Sequence, residues 1–441
     1  MLSHARAFTL GVASATSLLL GCDSTNAPTR PRVAGVGADQ LAVPSTATQV
    51  VIGTGDPAID VLAVQAAVDA ADTVILKGHF SFDRPPTVVV PVAGYPLATV
   101  LVSKAVTIVG EGAGDESDDG DMTTINAGSI PFFVNAPAAQ VRIQRLRFVR
   151  PISDAVLVYA ASGVTIASNR IDGLEPFQQF GEGFGINTSG NPPTPTAPGN
   201  PENVSGIIRV VDNDIDAVGA SAGDNTLGIT VFSVGVPGSE VEAHVSGNTV
   251  RNVTEPGINF RRIAGRAFIE GNTIETGALA GSAPRNQAIR VANIGSYRIA
   301  HNTIDCQWAN AEAEGIGVFS QFAAWPIEGA VVVGNHVTMS APEGTLFTDF
   351  SAGIAVYGFA GGNVVRHNSI RGRARAGLSI PVFPLPPRAP AVPVDNAFIR
   401  NRFLDFTPSL ADVFVGAHAL RTRVEGTGTV VDLGDGTILQ R

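Results

Sequence analysis

Four phrases, YRIAHNTI (297–304), AVVVGNHV (330–337), NVVRHNSI (363–370) and NAFIRNRF (396–403), place Asn302, Asn335, Asn368 and Asn401 at steps of 33 residues. Toward the N-terminus the same wording returns as AFIEGNTI at Asn272, AHVSGNTV at Asn248, IRVVDNDI at Asn213 and VTIASNRI at Asn169. VRIQRLRF is a still earlier copy, with Leu146 in the Asn place. Apolar residues alternate on both sides of each Asn, which is the period-two mark of strands. The gap between the two alternations is too short for a hairpin, so the chain must bend there without reversing. Asn tolerates the left-handed backbone such a corner needs, and amides stacked from coil to coil can hydrogen-bond as a ladder.

A second phrase follows most of these corners after a variable loop: GITVF at Gly228, GINFR at Gly257, AIRVA at Ala288, GIGVF at Gly315, GIAVY at Gly353 and GLSIP at Gly377. That is a third strand. Three short strands per turn with an Asn corner resembles the right-handed parallel β-helix of the pectate-lyase-like proteins, over residues 50 to 435 or so. The expected fold is therefore all-β, with roughly nine or ten coils sharing one core. Residues 56–72, DPAIDVLAVQAAVDAAD, have helical spacing at Val61, Val64, Val68 and Ala71, and the resemblance implies that this helix caps the open first coil. Leucine-rich repeats and propeller blades need patterns that are not present.

Composition agrees with one elongated body. Of 441 residues only 15% are charged and 44% are hydrophobic, with Gly 49 and Pro 29, too apolar for disorder and too uniform in its repeats for several unrelated domains. The net charge of −10 argues against a role that neutralises nucleic-acid phosphates.

Residues 1–21 carry Arg6, then an uncharged stretch from Ala7 to Leu20, then Gly21, as a secretory signal does. Leu19-Leu20-Gly21-Cys22 resembles the lipobox of bacterial lipoproteins, which implies lipid on Cys22 and a place in the bacterial cell envelope, periplasmic or cell-surface. Residues 22–48, rich in Ser, Thr, Pro and Ala, read as a flexible tether to a domain over 49–441. Cys306 is then the only other cysteine, alternates with Ile304, and is expected in the core.

The resemblance directs attention to the third strand, whose outward face carries the substrate groove in lyases and hydrolases of this fold. With Ile258 and Phe260 inward, the outward row reads Asn187, Thr230, Asn259, Arg290, Gly317, Ala355 and Ser379; beside it run Tyr159, Phe232, Arg261, Phe319 and Tyr357. Asn187, Phe232, Asn259, Phe319 and Tyr357 are the candidate substrate-binding residues. Rings stack on sugars and guanidinium forks bind carboxylates, so an acidic polysaccharide is the expected partner. Packing under loops explains the rings equally well.

Catalysis needs more. A polysaccharide lyase needs a base and a cation, for which Arg261 and Arg290 stand; a glycoside hydrolase needs paired carboxylates, for which Glu255 and Glu314 stand. The sequence motifs of polygalacturonases and pectate lyases are absent. Two functions therefore remain open: a monomeric, lipid-anchored protein that binds and cleaves an acidic glycan, or a non-catalytic envelope scaffold.

Three further features have plain readings. Asp115, Ser117, Asp119 and Asp121 have the oxygen spacing of a Ca²⁺ loop, with Asn126 where an EF-hand has Glu, and an acidic solvated turn accounts for them as simply. Arg366, Arg371, Arg373 and Arg375 make a local basic patch. His336 and His367 fall on opposite sides of Asn335 and Asn368 and are expected to face apart.

Overall fold

In the computed structural model, residues 47–440 are described, apart from 92–95, 115–121, 178–181, 190–203, 218–224, 236–239, 277–286, 294, 308–311, 324–325, 349, 383–390 and 427. Residues 1–46, with the stretch read as a signal, Cys22 and most of the expected tether, and the acidic run Asp115 to Asp121 lie outside the described residues, whereas Thr48, expected in the tether, already pairs with Thr73 in the first strand. What is described is a parallel β-helix built from three ladders. The first sheet runs from Thr48–Ile52 on Thr73–Lys77 to Arg423–Glu425 on Ile438–Gln440. The second runs from His79–Ser81 on Thr124–Asn126 to the start of Arg402–Val415, and the third from Ala98–Val102 to Val430–Asp432. Every pairing between these strands is parallel. The second sheet has eleven members among the described residues, one more than the upper end of the spacing-based expectation.

The corner asparagines form the expected ladder. Asn302 shows the unit: its backbone N–H and its Nδ2 both donate to Asn335 Oδ1, at 3.0 and 2.9 Å, and Nδ2 also donates to Ile269 O at 2.9 Å. The pattern runs unbroken from Asn169 to Asn401, and Leu146 begins it by donating its N–H to Asn169 Oδ1. These amides are buried and mutually satisfied, so they meet the requirement that interior polar groups be paired.

One expectation needs correction: the left-handed residue is not the Asn. Ser168, Asp212, Gly247, Gly271, His301, Gly334, His367 and Arg400, each immediately before a ladder Asn, hold φ of 49–67°. The Asn must keep its amide along the stack, so its predecessor turns the corner. A second, two-rung ladder was not signalled by the repeat: Asn363 Nδ2 donates to Asn396 Oδ1 at 2.9 Å where the third strand returns to the first sheet. Ala330 precedes it, leaving too few copies to make a pattern.

On most coils a Gly precedes the first inward residue of the third strand, with Ala288 in that place on one coil, and packing fixes it. A Cβ on Gly315 would sit 2.4 Å from Val337 Cγ1 and 2.5 Å from Gly353 O; one on Gly228 would sit 2.5 Å from Gly257 O and from Val250 Cγ1. The bend brings backbone and core side chains to this point, and on these two coils a Cβ has no room. Next to it, Ile229, Ile258, Ile289, Ile316 and Ile354 stack in register and are fully buried, forming one column of a continuous apolar core.

At the N-terminal end, helix Pro57–Ala70 packs on the first strand of all three sheets. Asp56 caps it by accepting from the Ala58 N–H, and Pro57 opens it where no donor is needed. Val61, Val64 and Val68 close the core. Buried Asp60 accepts from the Thr54 N–H and hydroxyl, the Gly55 N–H and the Ser81 N–H, which ties the helix to the first turn.

Candidate functional site

The third-sheet register aligns Asn187, Thr230, Asn259, Arg290, Gly317, Ala355 and Ser379 on one row, and Phe232, Arg261, Ala292, Phe319 and Tyr357 on the row two residues along. Both rows face away from the isoleucine column. Around Arg290 the structure gathers most of the candidate residues. Arg290 donates its Nε–H to Asn259 Oδ1 at 2.9 Å and holds Nη1 3.8 Å from Glu255 Oε2.

Glu255 owes its place to a short loop. Thr226 N–H donates to Thr254 Oγ1 at 2.9 Å and Thr254 N–H to Thr226 Oγ1 at 3.1 Å, while Glu255 N–H donates to Thr226 O. This reciprocal pair pins the chain just before Glu255 and aims the carboxylate along the sheet. Its side chain is 16% exposed and that of Arg290 18%, so the pair is screened far less than a surface ion pair. Burial pushes the Glu255 carboxyl above the usual carboxylate range despite Arg290, with Glu182 adding to the rise.

Arg261 lies beside them with its guanidinium over the Phe232 ring, 5.4 Å from the centroid, and Arg262 approaches the same ring at 5.6 Å. The Arg261 Nε is buried and makes no hydrogen bond among the described residues. Burial, then the like charges of Arg290 and Arg262, bring its pKa down to about 10. Arg290 is lowered by burial too, against the pull of Glu255. The site is thus a cationic shelf with fewer anions than it can use.

Other sequence candidates are used differently, although Glu314 and Tyr357 are close enough for their charges to be felt by Arg290. Glu314 is fully buried; its Oε2 accepts from Gln287 Nε2 and from the Tyr357 hydroxyl at 3.3 Å. Gly317 makes room for this, since a Cβ there would lie 2.4 Å from both Gln287 Nε2 and Glu314 Oε2. Phe319 stacks on Tyr357 at 4.8 Å, and Phe350 covers Tyr357 edge-on at 5.7 Å. These two rings are loop packing, not an open platform, because the chain before the Gly353 strand folds back over them. Phe232 is the ring of the row that stays half-exposed under cations. Asn187 is buried, three coils from Arg290 along the same row. Cys306 is buried, and burial pushes its thiol far up, so it is inert core.

The repeat gave no signal for Glu182, Gln287 or Arg262. Glu182 opens the strand Glu182–Ser189 and is felt by Glu255, Arg261 and Arg290. Gln287 pairs directly with Glu314 in register, so extending the third-strand alignment two residues upstream of the isoleucine column would have found it. Among the described residues, no group of three or more His, Cys, Asp or Glu side chains is disposed to hold a metal ion. No described helix is long and apolar enough to cross a membrane.

No protein-family model matches the chain, and no curated protein matches it. Among solved structures the chain is similar to the A-module of the Azotobacter vinelandii mannuronan C-5 epimerase AlgE6, at 11% identity and TM-score 0.37, over 86% of this chain and 95% of that one. It is also similar to the catalytic domain of a GH87 α-1,3-glucanase in complex with nigerose, at 10% identity and TM-score 0.32, over 92% of this chain and 70% of that one.

Proposed function

We propose that the third-sheet face binds an acidic polysaccharide, with Arg261 and Arg290 taking the sugar carboxylates, and that the protein does so from a lipid anchor at Cys22 in a bacterial cell envelope. The observation that carries this is Arg261, a largely buried guanidinium crowded by two other cations, with its Nε unbonded among the described residues. A carboxylate arriving there gains charge-assisted hydrogen bonds and relieves the repulsion. Cleavage extends this reading. The two arginines neutralise a uronate carboxylate, and Glu255, held protonated to higher pH than a free side chain, is the group placed to exchange a proton. The lyase arrangement fits better than the hydrolase pair, because Glu314 is committed to Gln287 and Tyr357. The non-catalytic scaffold is the second reading, and it draws on Phe350, which removes the aromatic platform.

The test is retention of purified protein on an immobilised polyuronate and on a neutral glucan. Losing a bonded Arg–carboxylate pair costs about 2 kcal/mol, so Arg261→Ala should bind the polyuronate roughly thirtyfold more weakly. Equal retention by wild type and by a double Arg261→Ala, Arg290→Ala variant would remove the proposal. Product formation from the polyuronate separates the enzyme from the scaffold.

A further inference from the structure

We propose a second anion site, independent of the third-sheet shelf, on the second-sheet side of the C-terminal coils, where His336, His367, Ser369, Arg371, Arg400 and Arg402 surround a cavity of about 520 Å³ suited to a phosphate group. The fold dictates the convergence. His336, Ser369 and Arg402 pair in register on three successive coils, about 4.8 Å apart. His367 and Arg400 are the left-handed corner residues of the last two of those coils, with φ of 55° and 49°, so their side chains leave the ladder toward the same rim. Arg371 stands two residues beyond Ser369 and so shares its face. The expectation that His336 and His367 face apart is corrected here: the left-handed turn at His367 swings its side chain to the cavity that His336 lines. Of the basic patch expected from sequence, only Arg371 takes part; Arg366 belongs to the first sheet.

Two of the three arginines in the cavity are uncommitted among the described residues. Several arginines elsewhere in this acidic protein are answered by carboxylates: Arg147 by Asp172 at 2.6 Å, Arg298 by Glu270 at 2.7 Å, Arg421 by Asp395 at 2.7 Å. Arg371 and Arg402 have no ion pair or side-chain hydrogen bond among the described residues, and neither do the rings of His336 and His367. Arg400 holds Glu425, which is shared with Arg423. Ser369, nearly buried at the floor, offers a hydroxyl. Donors thus approach from two coil corners, from the floor and from the strand beyond. A tetrahedral oxyanion presents acceptors in several directions and can use them together, whereas a carboxylate offers two in one plane.

Isothermal titration of the full-length chain with inorganic phosphate, and with acetate as the planar comparator, tests this. A second arm sediments the protein with phosphatidylglycerol vesicles against phosphatidylcholine vesicles. Saturable phosphate binding is expected, at least tenfold tighter than acetate, and at least tenfold weaker in Arg402→Ala and in Arg371→Ala. Both side chains are exposed, so the variants should fold as judged by circular dichroism. Vesicle capture lost in the same variants would assign the phosphate to a lipid headgroup; phosphate binding without capture would assign it to a soluble source. Three results overturn the proposal: neither probe binds, both variants bind as wild type does, or acetate binds as tightly as phosphate.

Discussion

Arg290 and Asn259 sit on adjacent coils in direct register, and the Arg290 Nε–H meets Asn259 Oδ1 at 2.9 Å, which fixes the plane of a guanidinium that also faces Glu255. A bonded Nε leaves the outer nitrogens free to point along the sheet. Asn259→Ala should therefore loosen the fork and weaken polyuronate binding about tenfold, or 1.4 kcal/mol. In an Arg290→Ala background the same change should have no further effect, because the two act as one unit. Additive losses would show that Asn259 touches the ligand itself.

Glu255 makes stability depend on pH in a set direction. Its folded pKa is raised by burial, so its contribution is present below the unfolded value of about 4.3 and is lost as pH rises through the folded one. Glu255→Gln cannot ionise. The variant should match wild type at the acid end and become the more stable of the two toward neutral pH, measured by chemical denaturation across a pH series. A difference independent of pH would contradict the burial account.

The Asn ladder predicts unequal costs for one substitution at two places. Asn302 Oδ1 receives two donors from Asn272, the backbone N–H and Nδ2, whereas Asn169 Oδ1 receives the Leu146 N–H alone. Asn302→Ala strands two buried donors and should cost about 3 kcal/mol; Asn169→Ala strands one and should cost about half of that. Thermal unfolding of the two variants side by side decides it.

Gly315→Ala should destabilise by about 2–3 kcal/mol, since its Cβ would meet Val337 and the Gly353 carbonyl with nowhere to move. Gly271→Ala opens onto free space and bears only the cost of a left-handed residue, about 1 kcal/mol. Reversed magnitudes would mean that backbone conformation, not crowding, selects glycine at the third-strand corner.

The corner asparagines and the third-strand rows were legible because strands read out with period two and each copy repeats the same environment, so Ile258 alone fixes where Asn259 and Arg261 face. Glu182 was not legible, since it acts across coils and no phrase recurs around it. Nor was the cover over Tyr357: Phe350 comes from a loop, where side-chain direction follows no period. The left-handed residue was misplaced by one position because Asn satisfies both descriptions, a tolerant backbone and a stacking amide, and only coordinates show that it serves the second.

The 33-residue spacing that joins Asn302, Asn335, Asn368 and Asn401 also sets how such a chain can change length. An insertion within a loop leaves the amide column untouched, whereas the loss of one residue inside a strand turns every later side chain on that strand inside out. Evolution of this molecule is accordingly free at its loops and quantised along its axis, where growth or shortening proceeds by whole turns.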